Sequence, residues 1–237
     1  MTISEMHYDF KKKLNKVDSH QNRNLLVPEI DFALNEAQEL FIKMIAEPRQ
    51  RGFLGFEKSQ RNIDDIRTLV ESDKLIPITD GIAPLPENYL FFVKAEVLMD
   101  KGTCKNVKGS LFVRRHDNRF EDSPFDSSNF EWRTVNGLFI AFGSWGGIKV
   151  FDDGTFTNTG LLMSYIRKPK YIHNAQAYKN GTYQLPSGTV LTGTIDCELP
   201  EHTHREIVDI AVALVSGELS SPDYQVKLHK LNFNELK

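Results

Sequence analysis

The stretch IDCELPEHTHREIVDIAVALVSGEL, residues 195–219, carries the most uniformly apolar helical pattern of the chain. Pro200 suits a first helical turn, because proline lacks the N–H group that finds no partner there. From Ile207 onwards, apolar residues recur at spacings of three and four along two adjacent stripes. Gly217 and Pro222 mark the region where such a helix ends. The pattern predicts a final helix that is covered on most of its sides.

The same stretch holds the residues at which a metal site or a nucleophile would first be sought. His202 and His204 lie near Cys197, but they are only two residues apart. Metal ligands on a helix are usually three or four residues apart, because only then do they share a face. The spacing therefore favours a polar first turn, and we expect alanine at both histidines to cost little. Cys197 is predicted to be a small buried residue at a strand end rather than a nucleophile.

Composition places the chain in a broad class. Its 237 residues suffice for one or two domains with a sizeable core, and a hydrophobic fraction of 40% is ordinary for a soluble globular protein. The net charge of -3 gives no global attraction to nucleic acid or to an anionic membrane. Two cysteines far apart form no disulfide framework, which favours a reducing cytoplasm. No apolar run has the length of a membrane span, and the charged N-terminal stretch lacks the apolar core of a signal peptide.

The order of the predicted elements gives the fold class. Apolar residues at helical spacing predict helices over residues 1–18, 28–46 and about 56–70. Proline and glycine become frequent from Leu75, and residues 89–99 are rich in aromatic and aliphatic side chains that favour a strand. Further strand-like segments joined by turns follow, up to the final helix. Helices, then strands, then a helix predict an α+β fold with an antiparallel sheet.

This order also predicts the domains. Residues 1–74 and 197–221 are expected to form a helical bundle, completed from both ends of the chain. Residues 75–196 are expected to form a β-rich antiparallel insertion with long loops, and residues 222–237 a C-terminal tail.

Other candidate motifs have ordinary explanations. Asp152 and Asp153 precede a glycine without the spacing of a calcium loop, which favours a hairpin turn. The glycine-rich stretch at 143–147 lacks the lysine of a phosphate-binding loop. No nucleophile–histidine or paired-carboxylate pattern stands out. Two basic clusters are either solvated strand ends or contacts to a nucleic-acid backbone: Arg114 with Arg115, and Arg167 with Lys168 and Lys170.

Five blocks of the sequence resemble, in the same order, a family of virion structural proteins from crAss-like and related tailed bacteriophages that infect Bacteroidetes. The blocks are LNKVDS (14–19), PEIDFALNEAQELFIK (28–43), GFEKSQRNIDDIRTLV (55–70), IRKPKYI (166–172) and CELPEHTHREIVDIAVALVSGEL (197–219). They are distinctive as a set, although none is a mechanistic motif. The resemblance implies a ring or adaptor between portal and tail, similar to the head-to-tail connectors of podoviruses, which are commonly twelvefold. It also implies a virion location after assembly in the host cytoplasm, with no catalytic residues, metal or cofactor.

The ring interpretation suggests which residues make contacts. Aromatic and aliphatic side chains in the glycine-rich and acidic loops are candidates for subunit or partner contacts: Phe53, Leu54, Phe56, Phe120, Phe125, Phe130 and Trp132. The basic residues Arg114, Arg115, Arg167, Lys168 and Lys170 would line the DNA channel. Portal and tail proteins are the expected partners, with no membrane. Two alternatives stay open: a virion component without a ring role, such as a tail-fibre docking or cargo protein, and a virion-borne cell-wall hydrolase.

Overall fold

A computed structural model describes residues 1–14, 25–46, 64–101, 103–110, 112–114, 139–142, 147–151 and 157–218. The chain divides into two compact units. The helical unit comprises residues Met1–Leu69 and Pro169–Lys237, and the β unit comprises Val70–Lys168. The chain therefore leaves the helical unit, builds the β unit and returns.

Among the described residues of the helical unit, three long α-helices form the frame. They are α1 (Ile3–Leu14), α2 (Val27–Ala46) and α3 (His204–Glu218). Helix α3 packs against both α1 and α2. Its buried residues include Ile207, Val208, Ala211 and Val212, so the wide apolar face predicted from the sequence is confirmed.

The returning chain adds short elements to the helical unit. Strand β9 (His173–Asn174) pairs with β12 (Thr194–Ile195), and β10 (Thr182–Gln184) pairs with β11 (Val190–Thr192); both pairs are antiparallel. A 3-10 turn at Glu201–Thr203 leads into α3. In α1, the predicted stripe is buried at Ile3, Met6, Phe10 and Leu14.

The described residues of the β unit form two four-stranded sheets. Its strands are β1 (Val70–Pro77), β2 (Ile82–Pro84), β3 (Tyr89–Lys101), β4 (Cys104–Ser110), β5 (Phe112–Arg114), β6 (Phe139–Phe142), β7 (Gly147–Phe151) and β8 (Thr157–Arg167). One sheet has the order β1-β8-β3-β4 and is antiparallel, and the other has the order β2-β7-β6-β5. Both sheets contribute to one buried apolar cluster, which includes Ala83, Val97, Ile148, Leu161 and Tyr165.

The register shifts in the pairing of β3 explain why its sequence alternates poorly. Its pairing with β8 shifts register between Tyr89 and Phe91, between Phe92 and Lys94, and between Leu98 and Met99. The first two skip a residue of β3 and so change which of its residues face the core, because side chains alternate strictly only in a regular strand. The third skips Thr159 of β8, so the alternation of β3 continues to Met99, which is buried. Between the shifts the alternation is regular, with Ala95 and Val97 buried. The strand expected at residues 89–99 is confirmed.

The α+β class with an antiparallel sheet and a C-terminal helix is confirmed, and two details of the prediction are wrong. Strands β5 and β6 pair in parallel. A parallel pair needs a long connection, and the stretch 115–138 between these strands provides one. The helix expected over 56–70 ends earlier, because residues 67–69 form a 3-10 turn and Val70 begins β1.

Candidate functional site

The carboxylate of Asp31 on α2 is fully buried and is held by three donors. His7 Nε2 on α1 lies 2.7 Å from Asp31 Oδ1, and the Tyr183 hydroxyl donates to Oδ2 at 2.7 Å. The backbone N–H of Asn174 donates to both carboxylate oxygens, at 3.2 and 3.1 Å. Burying a carboxylate is costly unless partners replace its water. Here the partners come from α1, β9 and β10.

Two further polar residues extend this arrangement along α2. Asn35 donates from Nδ2 to the carbonyl of Ile172 at 2.7 Å and accepts from the Ile172 N–H at 2.9 Å. Gln38 donates to the carbonyl of Lys170 at 3.3 Å. Residues 31, 35 and 38 follow helical spacing and so share one face of α2. The side chains on this face hydrogen-bond backbone groups of the segment 170–174, as a neighbouring strand would in a sheet. We call Asp31, Asn35, Gln38 and the segment 170–174 the α2 clamp.

Cys197 closes one end of the α2 clamp. Its thiol donates to Gln38 Oε1 at 3.3 Å. Burial raises the pKa of the thiol to about 11. The reactive form of cysteine is the thiolate, so this side chain is a poor nucleophile at neutral pH. The geometry agrees with the prediction that Cys197 has a packing role.

Two tyrosines lie near Asp31. Burial, the hydrogen bond to Asp31 and the negative charge of Asp31 together raise the pKa of Tyr183 above its ordinary value. Burial, followed by the charge of Asp31, also raises the pKa of Tyr171. Both phenols therefore stay protonated over the neutral range. The Tyr183 hydroxyl uses its proton in the hydrogen bond to Asp31.

The hydrogen bonds of the α2 clamp indicate a structural role. A catalytic carboxylate needs a free lone pair or a proton within reach of a substrate. The oxygens of Asp31 accept three donors, and both the donor and the acceptor of the Asn35 amide bind backbone. The hydrogen bonds of these groups join α1, α2 and the returning chain.

The two histidines of the final stretch have different environments. His202 is about half exposed, with 54% of its side-chain surface accessible, and its Nε2 lies 2.6 Å from Asp65 Oδ1. His204 is 4% exposed, with Nδ1 3.1 Å from the Met1 carbonyl oxygen and Nε2 2.8 Å from the Leu199 carbonyl oxygen. His204 therefore packs inside the unit. The sequence predicted a polar first turn, and its spacing did not show that this ring is buried.

Among the described residues, no group of three or more histidine, cysteine, aspartate or glutamate side chains could hold a metal ion. Within that part of the chain, no helix has the length and apolar character to cross a membrane.

The predicted basic residues lie in several environments. Arg167 Nε lies 3.4 Å from Glu71 Oε1, and Lys170 Nζ lies 3.0 Å from Glu198 Oε1. These carboxylates offset part of the positive charge that would attract a phosphate. Lys168 is exposed, and only the backbone of Arg114, in β5, is described.

The remaining predicted contact residues lie outside the described residues. They are Arg115 and the seven interface candidates Phe53, Leu54, Phe56, Phe120, Phe125, Phe130 and Trp132.

Sequence reasoning missed the α2 clamp. The signal that was present is three polar residues at helical spacing, Asp31, Asn35 and Gln38, directly beside an apolar stripe. Polar residues there are usually exposed, and their partners lie far away in sequence. Searches with protein-family models and against curated protein sequences gave no match to this chain.

Proposed function

We propose that this chain is a structural protein of a tailed-bacteriophage virion, forming a ring or adaptor between portal and tail. The support is the resemblance of five sequence blocks, in order, to the virion proteins of crAss-like and related phages. In this role the chain shapes the DNA channel and docks other tail proteins. It needs no catalytic residue, metal or cofactor.

One structural observation carries the proposal. Three of the blocks that carry the resemblance, 28–43, 166–172 and 197–219, meet in the α2 clamp. Gln38 binds the backbone of Lys170 and accepts from Cys197, and Lys170 in turn pairs with Glu198. The blocks that carry the family resemblance therefore include residues that hold the frame together, which supports an architectural role.

The finer parts of the proposal concern shape and contacts. We include a bundle of α1, α2 and α3, completed from both ends of the chain, because α3 packs against the other two helices. A ring repeats a heterologous interface, in which one face of each subunit meets a different face of the next. The aromatic and aliphatic residues of the glycine-rich and acidic loops remain the candidates for partner contacts. The two basic clusters remain candidates for the channel wall.

Particle stoichiometry tests the proposal. Purified virions would be quantified by mass spectrometry with labelled reference peptides from this chain and from the portal protein. A ring at the portal predicts a one-to-one ratio, or a simple ratio that matches portal symmetry. Absence from the particle contradicts the proposal altogether. A copy number unrelated to the portal contradicts the ring and favours a tail-fibre docking or cargo protein.

Cross-linking of intact particles gives an independent readout. Cross-links from this chain to portal and tail proteins are expected. Cross-links confined to fibre proteins contradict the ring position.

A further inference from the structure

Two helices of the helical unit expose large apolar side chains. Tyr8 on α1 is 72% exposed, and on α2 Phe32 is 62% and Leu40 is 38% exposed. The opposite sides of both helices are buried in the unit. Single exposed apolar residues are ordinary, but Phe32 and Leu40 lie eight residues apart and so share one side of α2.

The charges around these side chains differ between the two helices. Lys11 and Lys12 follow Tyr8 by three and four residues and are exposed. They make no ion pair with the residues that the structure describes. Lys13, by contrast, lies 2.9 Å from both Asp9 and Asp209 and belongs to the packed side. We call Tyr8, Lys11 and Lys12 the α1 face. It is aromatic and basic, because its two lysines outnumber the one exposed carboxylate beside Tyr8, Glu5, which accepts from the Thr2 N–H.

The exposed side of α2 has the opposite charge. Glu36 lies between Phe32 and Leu40, and Glu39 lies beside Leu40; both are exposed. Glu39 is partly offset by Lys43, whose Nζ lies 3.6 Å away. We call Phe32, Glu36, Glu39 and Leu40 the α2 face; it is apolar and acidic.

We propose that the α1 face of one copy of this chain binds the α2 face of a second copy. Both faces combine large apolar groups with exposed charge, and their charges are of opposite sign. Opposite potentials steer association and fix its register, while like charges oppose pairing of either face with itself. Because the two faces differ, repetition of the contact generates a ring or filament, and its reciprocal form generates a dimer. Closure into a ring rests on the proposed function; the contact between copies does not.

The size of the faces sets the expected affinity. A stable complex buries roughly 800 Å² on each partner, more than three apolar side chains supply. Association of the isolated chain is therefore expected to be weak and sensitive to salt. At an ionic strength of about 0.01 M the screening length is about 30 Å, which preserves the attraction between exposed charges.

Zero-length cross-linking detects such a weak contact. Isotopically light and heavy full-length chains would be mixed at high concentration and low salt, and treated with a carbodiimide that joins a lysine directly to a carboxylate. We expect mixed-isotope peptides that join Lys11 or Lys12 to Glu36 or Glu39, at least tenfold weaker in high salt. Absence of mixed-isotope links at these positions, or links confined to other surfaces, overturns the proposal.

Charge reversal gives the decisive comparison. The Lys11→Glu/Lys12→Glu variant and the Glu36→Lys/Glu39→Lys variant each bring like charges together and should lose most inter-copy association. Sedimentation of the two variants mixed should show association restored, because the basic α2 face then meets the acidic α1 face. Circular dichroism of each variant establishes that it is folded.

A matched control reverses two exposed charges elsewhere on the helical unit, Lys179→Glu with Arg205→Glu. This variant should associate as the parent chain does. Equal loss in the control, or no recovery in the mixture, overturns a specific contact between copies. Loss of particle incorporation by the α1 variant, with no effect on association between copies, assigns the α1 face to another acidic protein and also overturns the proposal. The ring proposal fails separately, by virion stoichiometry.

Discussion

The helical unit and the β unit are held together in different ways. In the helical unit, a buried carboxylate and two amides fasten the returning chain to α2. In the β unit, strand pairing supplies the backbone hydrogen bonds and an apolar cluster supplies the burial. An apolar core tolerates changes that keep its volume, whereas the stability of a buried polar cluster depends on each hydrogen-bond partner.

The largest difference should follow removal of the Asp31 carboxylate. Asp31→Ala leaves His7, Tyr183 and the Asn174 N–H without their shared acceptor, and each buried donor left unsatisfied costs about 1–3 kcal/mol. Hydrogen exchange measured by mass spectrometry in urea should show the helical unit opening at lower urea while β3 and β8 keep their protection. Asp31→Asn is the matched control, and it should cost less because it keeps the shape and one acceptor. Equal loss of protection in both units would contradict a difference in how the two units are held together.

The reciprocal change is made in the β unit. Leu161 on β8 is fully buried in the apolar cluster. Leu161→Ala should lower the free energy of unfolding of the β unit by about 3 kcal/mol, because the removed methyl groups leave a cavity. Leu161→Met, which conserves volume, should cost less than about 1.5 kcal/mol. The same exchange experiment reads both variants, and greater loss in the Met variant would contradict a core limited by volume.

The two histidines sharpen the comparison within the helical unit. His204→Ala should cost about 1–3 kcal/mol, because it removes a buried ring whose Nε2 lies 2.8 Å from the buried Leu199 carbonyl oxygen. His202→Ala should cost a similar amount, about 1–3 kcal/mol, because it removes the partner 2.6 Å from the Asp65 carboxylate, whose side chain is only 6% exposed. Urea denaturation of the two single variants gives both values. A negligible cost at either position would contradict the hydrogen-bonding role assigned to that ring.

The smallest expected change concerns reactivity. The ordinary thiol pKa of 9.0 is raised to about 11 at Cys197 by burial. At pH 9 the folded chain therefore holds about 1% of this side chain as thiolate, against about half in the unfolded chain. Alkylation of Cys197 by iodoacetamide should be about fifty-fold slower when folded, measured by mass spectrometry of the Cys197 peptide. Because the folded state holds the proton more tightly, this group's contribution to stability is present below pH 9 and is lost as the pH rises from 9 towards 11.

The predictable part of the fold follows from short-range patterns. The apolar spacing of α1, α2 and α3 is visible within windows of one or two turns, and the order of elements gives the α+β class. Strand β3 was harder, because its register shifts depend on how β8 pairs with it. The parallel pairing of β5 with β6 was missed for the same reason, since no local feature of either strand states its direction relative to the other.

The sequence by itself determined the helices, the class of the fold and the packing role of the final helix, because these depend on residues close together in the chain. Only the tertiary structure decided that Asp31 is buried, since its partners lie 24, 143 and 152 residues away. Only the tertiary structure distinguished His204 from His202, two residues earlier. A polar side chain is buried or exposed according to what distant segments bring to it, and local spacing does not record that.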